Sequence, residues 1–384
     1  MKLGRPSVRQ EGEEIWSYRV PVRFADHDTE LWFTIDGIPG DFLSDLMDGP
    51  LVGLLVPAMA RGEDIIIEGP VSERLHHSLS EPVQRLLQCM YPQLRQIRIM
   101  PEETRYLTQR GAGVITGFSA GIDSFCTLAD HHYSQGIIPS LRLTHLLFNN
   151  VGSHSKGGEK LFRERYALLK PTVEKIGLPM IQVNSNLHDY YDRSTNFQKT
   201  HTLRNAAVAM LLQKGIGRYL YSSTYHYREI FIGKSYDIAY SDPILLPMIS
   251  SDGFEVLSVG GQYTRVEKTL RVADIKDAQI SLDVCVKSRD GTNCSHCWKC
   301  MRTQLTLEIA GSLEKFSEVF DLNEYRKHRN RYIAATLASN APLEREIIAF
   351  ARTREFAFPM SSHMRRWGYH ESAKIVRRLA GRRN

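Results

Sequence analysis

The chain has 384 residues, 42% of them apolar and 24% charged, with a formal net charge of +6. That balance excludes a disordered chain and leaves length for two domains, each with a real core. Its longest apolar runs fall far short of a membrane span, and Met1-Lys2-Leu3-Gly4-Arg5-Pro6 lacks the hydrophobic stretch of a signal peptide, so a cytoplasmic protein with reduced cysteines is expected.

Residues 1–105 are expected to form an α+β accessory domain of their own. Alternating stretches at Ile15–Phe24 and Leu31–Ile35 predict an antiparallel pair, with Asp26-His27-Asp28 supplying the turn. Residues 42–59 predict an apolar helix despite Pro50 and Pro57. A strand at 64–68, an amphipathic helix over 73–90 and a strand at 96–100 follow. His27, His76 and His77 read as turn or surface residues rather than ligands.

From residue 106 to about 312 strands and helices alternate, the pattern of a doubly wound, mostly parallel α/β sheet. Strands are expected at Val114–Phe118, Thr144–Asn149, Met180–Asn184 and Tyr219–Ser222. Between the first of these and an apolar helix lies Ser119-Ala120-Gly121-Ile122-Asp123-Ser124. A strand, a small turn and a helix start present unpaired N–H groups and a positive dipole end, which suit a phosphate. Ser119 and Ser124 add hydroxyls, Gly121 lets the backbone come close, and Ala120 is expected to avoid positive φ. Neither G-x-x-x-x-G-K-[ST] nor G-x-G-x-x-G is present, so a Walker lysine does not hold the nucleotide. In such a sheet the ends at Asn149-Asn150 and Asn184-Ser185-Asn186 should converge with this loop on one crevice.

Cys285, Cys294, Cys297 and Cys300 are spaced C-x8-C-x2-C-x2-C, with Asp290-Gly291-Thr292-Asn293 as the returning turn. Four thiolates at that spacing favour a closed tetrahedral Zn²⁺ site of structural role, with an iron–sulfur cluster as the metal competitor. His296 lies inside the knuckle, but four cysteines already fill the shell. Cys89 and Cys126 read as small buried residues. Residues 313–384 read as a helical, basic extension. Its charge at Arg365, Arg366, Lys374, Arg377, Arg378, Arg382 and Arg383, with a short helix from Glu371, is a solvated face or a contact for an acidic partner.

The loop resembles the S-G-G-x-D-S motif of the PP-loop ATP pyrophosphatases, with Ala120 in place of the second residue. The stretch CVKSRDGTNCSHCWKCMRT, preceded by Thr264-Arg265-Val266-Glu267-Lys268-Thr269, is similar to the zinc element and lysine-bearing segment of the 7-cyano-7-deazaguanine synthases within that family. The likeness covers about 200 residues and implies a PP-loop, Rossmann-like (HUP) fold. It implies ATP, Mg²⁺ and Zn²⁺ as cofactors. Ser119, Ala120, Gly121 and Ser124 would meet pyrophosphate, and Asp123 would meet Mg²⁺ or its water shell. Arg204, Lys234 or Lys268 would neutralise phosphate charge, and Phe148 and Asn149 would lie against adenine. The implied reaction is AMP- and pyrophosphate-forming ligation: a purine-like carboxylate, such as a 7-carboxy-7-deazaguanine, is adenylated and passed to ammonia, an amine or a protein acceptor. Bacterial antiphage defence is one setting for such divergent synthases. The segment 225–263 departs from the family pattern, leaving the acceptor open. Two alternatives stand beside this reading, a tRNA-modifying thiolase and a nucleotide-binding module without catalysis. Nucleic acid is the weaker partner expectation, no membrane is expected, and a homodimer is compatible with it.

Overall fold

The computed structural model describes residues 1–153, 158–287 and 292–362. The basic residues from 365 onward, the helix expected from Glu371 and the turn residues Asp290 and Gly291 lie outside them. The described residues divide into two compact units, Met1–Ser119 with Thr127–Gln262, and Ala120–Cys126 with the region from Tyr263 onward.

The first unit is built on an 11-stranded, mostly parallel sheet. Its strands are β1 (Lys2–Leu3), β2 (Ser7–Gln10), β3 (Ile15–Arg23), β4 (Asp28–Asp36), β5 (Ile65–Ser72), β6 (Ile99–Arg105), β7 (Gly113–Gly117), β8 (His145–Asn150), β9 (Met180–Ser185), β10 (Ile216–Ser222) and β11 (Glu255–Val259). The spatial order is β11-β10-β7-β8-β9-β4-β3-β1-β5-β6, with β2 alongside β3. The pairs from β11 to β9 are parallel. Within that portion the chain starts at β7, runs to β9 on one side, then returns to place β10 and β11 on the other. The direction reverses at β7, and in open α/β sheets the crevice beyond such a reversal is where ligands bind.

Residues 1–105, expected as a separate domain, supply β1 to β6 of this same sheet. The β3–β4 pair forms as its alternation predicts, with Tyr18 opposite Phe33 and Val20 opposite Leu31. The outer edge of β4 then pairs antiparallel with β9, Ile35 facing Val183. Nothing local in the sequence encodes that pairing, because its partners are about 150 residues apart.

The helices of this unit are α1 (Asp48–Arg61), α2 (Glu73–Ser80), α3 (Pro82–Met90), α4 (Ile122–Leu128, which begins in the second unit), α5 (Glu159–Ile176), α6 (Phe197–Met210) and α7 (Asp242–Met248). The helix expected over 73–90 is broken at Glu81, whose backbone is non-helical, with Pro82 opening the second half. Residues Asp48–Met59 of α1 are all buried, as an all-round apolar helix requires. α1 packs on α6, and the approach depends on Gly49: a Cβ there would come within 2.6 Å of the Ala207 carbonyl oxygen. One continuous core joins β3, β4, β5, α1, α6 and the parallel strands.

The second unit holds α8 (Arg265–Ala273), α9 (Lys276–Ser281), α10 (Trp298–Ile309), α11 (Leu322–Ala338) and α12 (Pro342–Thr353). Thr264 caps α8 in a reciprocal box with Glu267. Val266, Leu305, Ile309, Ile333, Ile347 and Ala351 form the apolar cluster that joins α8, α10, α11 and α12. No helix among the described residues is long and apolar enough to cross a membrane.

Candidate functional site: an acidic loop among cations, and a cysteine cluster

The loop that leaves β7 bends sharply at Ala120, whose φ of +55° lies in the left-handed region. The expectation that alanine would keep φ negative here is overturned. A left-handed non-glycine residue costs about 1–2 kcal/mol and persists only where its surroundings impose it. Here the Ala120 side chain is buried and its carbonyl accepts the Asp283 N–H at 2.9 Å. Ser119 is exposed, whereas Ser124 is buried and donates its hydroxyl to the Gly121 carbonyl at 3.0 Å. The helix that follows ends in a single π turn, Ala129–Tyr133.

Residues Ala120–Cys126 belong with the second unit, and the charges explain why. Asp123 Oδ1 is 2.9 Å from Arg265 Nη1 and 2.9 Å from Lys268 Nζ. Lys268 is 2% exposed, while the Asp123 carboxylate keeps 31% of its surface. Burial raises the Asp123 carboxyl, but Arg265 and Lys268 outweigh it and hold the group below the ordinary carboxylate range. The spacing of Arg265 and Lys268, three residues apart on α8, sets both on one helix face. Lys268 was legible in the sequence. Arg265 carries the same signal, since the i, i+3 interval from Lys268 is visible in the sequence.

The other expected residues lie in the first unit. Arg204 is buried and donates Nε to Thr200 Oγ1 (2.8 Å), Nη1 to the Val151 carbonyl (3.0 Å) and Nη2 to the Thr195 carbonyl (3.1 Å), with Tyr191 stacked at 3.6 Å. Nη1 and Nη2 thus pin the loops that follow β8 and β9, while Nε is held within α6. Phe148 is buried and stacks on Phe162 at 5.0 Å, and Asn149 is half-buried beside it. Asn150 donates to Asn184 at 2.9 Å, so the polar ends of β8 and β9 do meet. Asn186 instead serves β4, accepting the Trp32 N–H and donating to the Glu30 carbonyl. Lys234 lines an open groove of about 690 Å³ with Lys199, Phe231, Ser235, Tyr236 and Tyr240. Behind it His201 bridges the Tyr221 hydroxyl (2.7 Å) and Asp237 (3.2 Å), a buried relay the sequence did not announce.

The four cysteines come together. Their Sγ atoms all lie within 4.8 Å of one another, with Cys297 3.4 Å from Cys300 and 4.0 Å from Cys285. A tetrahedron with metal–sulfur bonds of about 2.3 Å places its sulfurs about 3.8 Å apart, so the set could hold an ion such as zinc. The Cys297 N–H donates to Cys294 Sγ at 3.3 Å and the Lys287 N–H to Cys285 Sγ at 3.4 Å, backbone bonds that favour thiolates. Burial raises the Cys297 thiol, yet backbone donors from Cys300 and Val286 bring it down to about 7. Asn293 ties the element down, donating to the Leu282 and Val319 carbonyls and accepting the Val284 N–H. His296 is exposed and turns to Glu324, leaving the shell to sulfur.

No family profile, curated protein or solved structure matches the chain.

Proposed function

We propose that the protein is an ATP-dependent, AMP- and pyrophosphate-forming ligase of the PP-loop type that adenylates a small carboxylate. The observation that carries this reading is the loop after β7, at the reversal of strand order, with a left-handed residue at Ala120 and a carboxylate gripped by two cations. Left-handed backbone in such a loop turns successive N–H groups toward one side, which is how phosphate is cradled without a Walker lysine. An acid oxygen would attack the α-phosphate, pyrophosphate would leave, and an amine or ammonia would then displace AMP. Charge growing on the leaving group is what Arg265 and Lys268 are suited to stabilise. Asp123 already meets two cations through Oδ1, so Mg²⁺ is best taken as arriving with the nucleotide's phosphates rather than waiting on this carboxylate.

The tyrosines and lysines of the 690 Å³ groove favour a flat, acidic acceptor such as a 7-carboxy-7-deazaguanine-like acid. The cysteine cluster, with four sulfurs and no open position, suits structural Zn²⁺. The test is turnover of ATP to AMP and pyrophosphate over a panel of purine-like acids, with mass spectrometry for adenylate, amide or protein adduct. Asp123→Asn should lower AMP formation at least tenfold. Pyrophosphate release from no acid in the panel, or full turnover by the variant, would remove the proposal.

A further inference from the structure

α10 leaves the cysteine cluster carrying Lys299 and Arg302, three residues apart, and α8 packs against it carrying Arg265 and Lys268 at the same interval. Arg302 is 8% exposed, and its Nε and Nη1 are buried without a hydrogen-bond partner among the described residues. On α11 the Tyr332 hydroxyl and Thr336 Oγ1, one turn apart, are likewise buried and unpartnered. Trp298 offers Arg302 a ring face at 4.9 Å, which compensates only in part. A buried guanidinium with unmet donors is costly, and a binding anion would complete it. Asp123 is already shared by Arg265 and Lys268, and Asp123 and Glu344 of α12 act on Arg302 through space. Glu346 accepts the Arg265 N–H at 2.9 Å. Two cation pairs on adjacent helices, with a hydroxyl donor on a third, suit an anion with two charged centres better than a single one.

We propose that Arg302, Lys299 and Tyr332 join Arg265 and Lys268 in a binding site for a diphosphate group. The site rests on the ligase reading for its biological ligand, either free pyrophosphate or the β,γ-phosphates of ATP, but its chemistry is independent of turnover. It also gives the cysteine element a second task, since the helix that starts at Cys297 would carry the anion-binding side chains.

The experiment is calorimetric titration of the zinc-loaded full chain with sodium pyrophosphate, orthophosphate and ATP. The proteins compared are wild type, Arg302→Gln, Arg302→Lys and Tyr332→Phe, with zinc content and melting temperature measured on each. Pyrophosphate should bind more tightly than orthophosphate. Arg302→Gln should weaken it at least tenfold with zinc retained, Arg302→Lys should recover part of the loss, and Tyr332→Phe, which preserves shape, should cost several-fold. If Arg302→Gln sheds zinc or stability but binds pyrophosphate as before, Arg302 is a counter-charge for the metal cluster and the proposal falls. It falls too if orthophosphate binds equally well or pyrophosphate not at all. Pyrophosphate binding that depends on Arg302, with no acid ever adenylated, would sink the ligase reading alone. Adenylation by an Arg302→Gln protein with unchanged pyrophosphate affinity would sink this site alone.

Discussion

A methyl group at a left-handed position is a small but measurable strain, and at Ala120 it sits where the resembling family keeps glycine. Ala120→Gly should therefore leave thermal stability within about 1 kcal/mol of wild type, relief of strain offsetting loss of a buried methyl. Ala120→Val, β-branched at φ +55°, should cost at least about 2 kcal/mol by denaturant unfolding. Asp123 and Asp242 should give opposite pH signatures. The Asp123 carboxyl is held low, so its contribution is present above the unfolded value of about 3.9 and is lost as pH falls through the lower folded value; Asp123→Asn should flatten the acid limb of the stability profile. Asp242 is fully buried, accepts from Thr202 at 2.7 Å, and has an Oδ2 without a partner among the described residues. Burial pushes its carboxyl well above the usual range. Its contribution is present below the unfolded value and is lost as pH rises through the raised one, so Asp242→Asn should flatten the decline in stability as pH rises above the unfolded carboxylate value. Melting temperature across pH 3–9 checks both.

Elements were legible where their signal was local. The cysteine spacing foretold a cluster because eight- and two-residue intervals leave the chain few other ways to place four thiols, and the β3–β4 alternation foretold its own pairing. β11 lies outside the sequence expectation, because its five residues, in a turn-rich stretch between Gly253 and Gly260, carry too short a pattern to register. The strand expected at 96–100 forms at Ile99–Arg105 instead, since its parallel register on β5 is set by the partner and not by its own polar sequence. Arg302 was invisible because burial of a charge is decided by tertiary packing. If the cysteine element is metal-held, chelation of the purified protein should remove one zinc per chain, lower the melting temperature, and expose the 292–300 segment to protease. Cys297→Ser should reproduce all three in the absence of chelator.

At the scale of the whole chain, the sequence suggested three blocks, and the sheet joins the first of them to the second. Regular alternation of strands and helices begins only after residue 105, which reads like a boundary although the sheet runs across it through the β4–β9 pairing. A protein beginning at residue 106 should accordingly not fold as a soluble species. It would uncover the β9 edge and the α6 surface that α1 covers, and size-exclusion chromatography should find it aggregated.

The β4–β9 seam carries a consequence for biosynthesis. As the chain leaves the ribosome, the hairpin of β3 and β4 emerges early with one flank open, and its mate follows only after some 150 further residues have been translated. For most of that interval a half-apolar ribbon waits unzipped, and slow non-local closure of this kind invites misassociation. Chaperone supply, more than the final stability of the fold, would then set how much of the protein a cell recovers.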